Sequence, residues 1–365
     1  MRQDAPITTS EALLRALKSA KPGTRLTLTP GEFASGLFVN NIQGAAGKPI
    51  VIEAADPKRP PVFRGRGNGM QLSEVAYLEL RNLHFLGATD NGLNIDDGKK
   101  FGSTHHITLQ GLRVGEMNVR GNNDGIKLSG ITDFALLDCT IERWGVGGQG
   151  VDMVGCHRGR IEGCTVRQIE EEQSAGIQMK GGSMDITVRR CRFEKAGGRA
   201  LNLGGSTGLE FFRPALIDLT AGARRNAEAR KLLVEECTIE GGGAAFAFLG
   251  SEDVVVRRNT IKIPGRWAVR ILQENRHPSF LPCRKGVFEE NLILFDSRKW
   301  GSGGVNIGDG TAPGYLQVRP KRLVLPGCSG PQPPATSHPR RRRRLRHRAE
   351  SAKRQIRGSI GIAKE

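Results

Sequence analysis

The sequence predicts an all-β fold, a right-handed parallel β-helix, on three observations. A short strand signal, a small residue followed by apolar-polar-apolar, recurs along the chain with a spacing of roughly 22 to 27 residues for most copies. Glycine is abundant, at 49 of 365 residues. Aromatic residues make up only 5% and hydrophobic residues 38%, which suits many turns and thin strands rather than a large helical core.

At the front, Thr8 with Glu11 three residues later has the form of a capping box, and Leu13, Leu14, Leu17 and Ala20 give a helix one apolar face that runs to Lys21-Pro22-Gly23. An open solenoid exposes the edge of its first coil, so residues 1–34 are expected to be a cap helix and first strand. Residues 35–312 form the expected β-helix. Its strand signals are Gly69-Met70-Gln71-Leu72, Gly92-Leu93-Asn94-Ile95, Gly125-Ile126-Lys127-Leu128, Gly150-Val151-Asp152-Met153, Gly176-Ile177-Gln178-Met179, Ala200-Leu201-Asn202-Leu203, Ala245-Phe246-Ala247-Phe248, Ala268-Val269-Arg270-Ile271 and Gly304-Val305-Asn306-Ile307. Alternation sends the apolar pair of each inward and the residue between them outward.

A second signal follows each first one, as in Ile131 to Ile141 and Ile186 to Phe193. Within it Asn82, Gly111, Cys139, Cys164, Cys191, Cys237, Asn259 and Asn291 are expected to stack as one ladder. The cysteines read as packed core thiols, because a line along the axis suits packing better than tetrahedral ligation and no Cys-x-x-Cys is present. Two long excursions, Gly205 to Lys231 and Gln273 to Lys285, interrupt the repeat.

The formal charge of +18 is uneven. From Leu316 onward 14 Lys and Arg face two acidic residues, so only +6 belongs to the rest. Residues 313–365 read as a basic, Pro- and Arg-rich tail, either disordered or frameshifted. Codons for Val318 to Gly327 can be chosen so that the next frame spells Phe-Ala-Arg-Asn-Gly-Trp-Phe-Tyr-Leu-Asp. The gene's nucleotide sequence tests this, and early stop codons in the shifted frame reject it. Nucleic acid is expected as a partner only through this tail. No apolar run is long enough for a membrane span, and the N-terminus lacks a secretory pattern. The expectation is a monomer, cytoplasmic unless an export signal has been lost.

The stretch from Thr8 to about Phe85 resembles the start of the chondroitinase B and alginate lyase group of β-helical polysaccharide lyases. The matching features are the cap helix, Lys21-Pro22-Gly23 leading to Leu26-x-Leu28 and Pro30-Gly31-x-Phe33, then Gly47-x-Pro49-Ile50-x-Ile52-x-Ala54, and Val62-Phe63-x-Gly65. The resemblance implies a lysine base, an arginine on an adjacent coil and a calcium site of acidic and amide side chains. Lys180 falls within about one position of that lysine. Leu203-Gly204-Gly205 stands where the arginine is expected, with Arg199 nearby, and Glu170 to Glu172 are the acidic residues available for calcium.

The residues themselves give a candidate track. The outward stripe of Gln71, Asn94, Lys127, Asp152, Gln178, Asn202, Ala247, Arg270 and Asn306 repeats polar groups at about the 4.8 Å inter-coil spacing, nearly the rise of an extended sugar chain. Its expected substrate-binding residues are Asn94, Asp124, Gln178, Asn202 and Arg270. The expected catalytic residues are Lys180, Lys127, His157, Arg158 and Asp152, acting on an acidic, uronate-containing glycan by β-elimination. Lys180 or Lys127 is the base where basic neighbours lower its pKa, Arg158 neutralises the carboxylate, and His157 is an acid or alternative base. The competing expectation for Lys127 and Asp152 is an inter-coil ion pair. A hydrolase would instead use Asp96 and Asp97 with Asp124 or Asp152, one or two coils away, as its carboxylates. A non-catalytic binding module would use Trp144 and Trp267 for stacking. No metal ligand set is assigned. The adjacent His105 and His106 are weak metal candidates, and calcium enters only through the resemblance.

Overall fold

Each coil folds as three strands separated by tight turns, and stacking these coils gives three sheets in which every pairing is parallel. The computed structural model describes residues 6–118, 120–169, 174–216, 218–220, 222, 225–262, 264–295, 304–311, 316–319 and 362–364. The first sheet has 11 strands, among them Arg25–Leu28, His105–Gln110 and His157–Glu162. The second also has 11, mostly three residues long, such as Thr165–Arg167. The third has 10, including Ile126–Ser129, Gln149–Val154, Ala175–Lys180, Arg199–Gly204, Ala244–Leu249 and Trp267–Leu272.

The core is a set of columns along the axis. In the second sheet Phe33, Phe63 and Phe85 stack at centroid distances of 5.3 and 4.9 Å, and Val114, Ile141, Val166, Phe193, Ile239 and Ile261 continue the column. In the third sheet the inward pairs expected from alternation, Ile126 with Leu128, Val151 with Met153 and Ile177 with Met179, are all buried.

The solenoid starts earlier than residue 35, because Arg25–Leu28 already pairs with Ile50–Ala54. The helix α1 spans Ser10–Lys18 and is capped by Thr9, whose hydroxyl accepts from the Ala12 amide, one residue later than the Thr8 expected. Leu13 and Leu17 are buried against the first coil, with Leu14 and Ala20 packed beside them.

The second signal resolves into two strands joined by a left-handed residue, and this corrects the expected ladder. Asn82, Gly111, Asp138, Gly163, Arg190, Glu236, Arg258 and Glu290, all with φ between 51° and 67°, form the turn column. The buried ladder is one position further on and reads Leu83, Leu112, Cys139, Cys164, Cys191, Cys237, Asn259 and Asn291. Asn82 and Gly111 therefore belong to the turn. Each thiol donates to a carbonyl of the preceding coil, as Cys164 Sγ does to Leu136 O at 3.6 Å. Asn259 Nδ2 does the same to Val234 O at 3.2 Å. The six described cysteines are buried free thiols. The tail expectation falls largely on residues 320–361, which lie outside the described residues.

Candidate functional site

The third sheet carries the outward stripe in the register the sequence implies. Gln71 pairs with Asn94, Asn94 with Lys127, Lys127 with Asp152, Asp152 with Gln178, Gln178 with Asn202, Asn202 with Ala247, Ala247 with Arg270 and Arg270 with Asn306. In the central coils these outward residues are nearly buried: Asp152 is 3% exposed, Gln178 8% and Asn202 6%. These outward residues are covered, and the two excursions leave the third sheet beside them, after Gly204 and after Leu272, with Gly205 lying against Gln178 and Lys180.

The excursions are locked together by one carboxylate. Glu228, fully buried, accepts from the Gly181 amide, the Thr207 amide and hydroxyl, and Asn275 Nδ2 at 2.7 to 3.0 Å. Phe212 packs edge-on to Phe280, and Asn226 bonds Ser279. The first excursion then folds back over earlier coils. Arg213 donates its amide to Gly181 O and pairs with the buried Asp97 at 3.3 Å. It lies so close to Gly155 that a Cβ there would meet Arg213 Cβ at 2.2 Å, and Gly155 also has φ +61°.

On the outward face of the third sheet Lys127 Nζ donates to Asp124 Oδ2 at 3.0 Å and Asp152 Oδ2 at 2.8 Å, while Lys180 Nζ lies 3.2 Å from Asp152 Oδ1. Asp124 is set by a turn ladder. Its amide donates to Asn91 Oδ1, its Oδ1 accepts from the Gln149 amide, and Gln149 Oε1 accepts from the Ala175 amide. Burial, and next the charge on Asp152, push the Asp124 carboxyl up to about 6 against the pull of Lys127. Although burial opposes it, the two carboxylates raise Lys127 above the ordinary lysine value. Lys127 is thus a fixed ammonium, contrary to the expected lowering, and the ion-pair expectation for Lys127 and Asp152 holds.

Two expected catalytic residues are not brought to this face. Arg158 projects from the first sheet, makes a bidentate pair with Asp133 at 2.7 Å for both bonds, and lines a separate cavity of about 730 Å3 with Tyr77, His106 and Phe134. It lies on the strand that follows the turn after Val154, in the first sheet rather than the third, and so faces away from Asp152. His157 is 7% exposed, bonds Gly182 O through Nε2 at 3.0 Å and meets the Phe101 ring edge-on. Burial lowers its pKa, so its place is in the turn packing. His105 and His106 hydrogen-bond one another at 2.8 Å, with Tyr77 stacked on His106.

Among the described residues no calcium site is assembled. The place between Asp124 and Asp152 is taken by the Lys127 ammonium, and no group of three His, Cys, Asp or Glu suited to a metal occurs among the described residues. Glu170 to Glu172 lie outside the described residues. The sequence signal missed the packed excursions, because Arg213, Glu228 and Asn275 sit in irregular segments that no periodicity marks.

Among the described residues, Asn202 Oδ1 and Arg270 Nε are buried with no hydrogen-bond partner, while Asp152 Oδ1 has only its ion pair with Lys180. Such atoms are costly unless something completes them.

Residues 68–222 match the family described as the right handed beta helix region. Among curated proteins none matches the chain in sequence. Among solved structures, an alginate lyase from a Paenibacillus species is similar at 18% identity and TM-score 0.57, over 82% of this chain and 98% of that one. The A-module of the mannuronan C-5 epimerase of Azotobacter vinelandii is similar at 14% identity and TM-score 0.56, over 84% and 86%. An endo-xylogalacturonan hydrolase from Aspergillus tubingensis is similar at 13% identity and TM-score 0.53, over 84% and 94%. At these identities the likeness is one of fold, the right-handed parallel β-helix. The three enzymes run different reactions on it, so the chemistry has to be argued from the site.

Proposed function

We propose that this chain binds an acidic polysaccharide along the outward face of its third sheet and cleaves it by β-elimination at uronate residues. The observation that carries the reading is the convergence of Lys127 and Lys180 on Asp152, in unlike settings. Lys127 is bound by two carboxylates and Lys180 by one. Elimination needs a permanent cation beside the uronate carboxylate, to stabilise the carbanion character that develops, and a base beside the adjacent C–H. Lys127 serves as the cation, and Lys180 serves as the base. The proton passes to Lys180 Nζ, the electron pair forms the new carbon–carbon double bond, and the bond to the glycosidic oxygen breaks as that oxygen takes up a proton from water. Alginate, pectate and related uronates are the substrates to try, in keeping with the alginate lyase and the endo-xylogalacturonan hydrolase among the similar structures.

Absorbance of unsaturated uronates should rise when the protein is incubated with alginate, pectate or chondroitin sulfates, with and without calcium. Lys180→Ala should remove at least 100-fold of that rate with its melting temperature within a few degrees, the scale of a lost proton-transfer group. No rise across the panel would reject elimination. Asp124, raised to about 6, beside Asp152 also has the form of an acid and a second carboxylate in unlike settings. New reducing ends without unsaturated ends would select that hydrolytic reading.

A further inference from the structure

Three coils beyond Lys180 the same face changes character. Gln178, two residues before Lys180 on the same strand, pairs with Asn202, Asn202 with Ala247, and Ala247 with Arg270, so Arg270 lies about 14 Å along the axis at the inter-coil spacing. Its guanidinium rests over the Trp267 ring, 4.9 Å from the centroid. Among the described residues it makes no ion pair, and its buried Nε has no hydrogen-bond partner. Arg199 reaches along the face from two coils earlier to pair with Glu274 at 3.1 Å. Arg266 is close enough to act on the charge of Arg270, as Arg199 is, and among the described residues Glu274 is the acid that acts on it. Ala247, fully buried, is the one outward position in this stretch with no polar group. Asn202 Oδ1 also lacks a partner.

We infer that Arg270, held over Trp267 and flanked by Arg199 and Arg266, is a subsite for an anionic group of the glycan, a carboxylate or a sulfate ester, roughly three sugar units from the residue at Lys180. A guanidinium held over a ring with no ion pair among the described residues is able to bind such a group through two parallel hydrogen bonds from its Nη groups. The surplus of positive charge rejects neutral chains. This rests on the glycan track proposed above and adds to it a requirement for charge at a second, distant sugar.

Calorimetric titration of the full chain carrying Lys180→Ala, which prevents turnover, tests it with uronate oligosaccharides of two and of six units, a sulfated hexamer and a neutral hexamer. Adding Arg270→Ala should weaken the charged hexamer about tenfold, the value of one charge-assisted bidentate contact, and leave the dimer unchanged. Arg270→Lys, which keeps the charge but not the fork, should recover only part of the loss, with melting curves checking that each variant folds. Whichever charged hexamer loses more identifies the anion. An unchanged hexamer, an equal loss for the dimer, a neutral hexamer that binds as well as the charged ones, or the absence of any binding would overturn the subsite. If Arg270 behaves as expected while the parent chain releases no unsaturated ends, the elimination fails and the subsite stands.

Discussion

Single side chains carry the chemistry, and their environments separate residues that the sequence makes look equivalent. Lys127, Asp152 and Gln178 were legible because an outward position in a repeat keeps its neighbours in register. Arg158 was not, since the chain turns after Val154 and carries it onto the first sheet. Arg158→Ala should therefore leave turnover within twofold and cost at most about 1 kcal/mol, as its pair with Asp133 is solvent-exposed; steady-state rates and urea denaturation measure both. Asp124 should shape stability against pH. Its folded value, about 6, lies above the ordinary 3.8, so the proton is bound more tightly in the folded chain. That contribution is fully present below pH 3.8 and is lost as pH rises through about 6, with a size of about 1–3 kcal/mol. Asp124→Asn keeps an oxygen for the Gln149 amide and should flatten the decline between pH 4 and 6.5 in thermal denaturation. An unchanged profile would reject this assignment.

At the scale of the element, the coil is defined by where it turns. The inward columns could be read from alternation, but the left-handed turn residues could not, because Asn, Asp, Arg, Glu and Gly all fill that column. A column tolerant of so many types is enforced by the backbone bonds on either side of it. This is why the expected ladder ran one position early at Asn82 and Gly111, where a polar or small residue resembled a ladder member. The true ladder changes from Leu83 and Leu112 through four cysteines to Asn259 and Asn291, and the asparagines do more. Asn259 donates to Val234 O and accepts from the Cys237 amide in a fully enclosed turn. Asn259→Ala leaves that amide and carbonyl unpaired and should cost about 2–3 kcal/mol, whereas Cys164→Ala removes one weak donor and should cost about 1 kcal/mol. Urea midpoints of the two variants, with unchanged slopes, check the ordering, and equal losses would refute it.

Over the whole molecule, a repeating solenoid gains a specific site only by breaking its repeat. The regular coils could be read from the sequence, while the cover beside the stripe rests on the two excursions and on Glu228. Every contact of that carboxylate comes from a donor: the amides of Gly181 and Thr207, the Thr207 hydroxyl and the Asn275 side chain. Only an acceptor on both oxygens satisfies them, so the near-isosteric Glu228→Gln, which turns one oxygen into a donor, should fail almost as badly as Glu228→Ala. Because the coils beneath have their own ladder bonds, the loss should be local. The segments 205–227 and 273–283 should become readily cut by protease, while the unfolding midpoint moves by no more than about 3 kcal/mol equivalent. Activity should fall with the excursions even though Lys127, Asp152 and Lys180 stay in place, since an uncovered face admits water to the charged centre and weakens each interaction there. If Glu228→Gln leaves both segments as resistant as the parent chain, the two excursions are held by their apolar contact between Phe212 and Phe280 instead, and Phe280→Ala should then expose them.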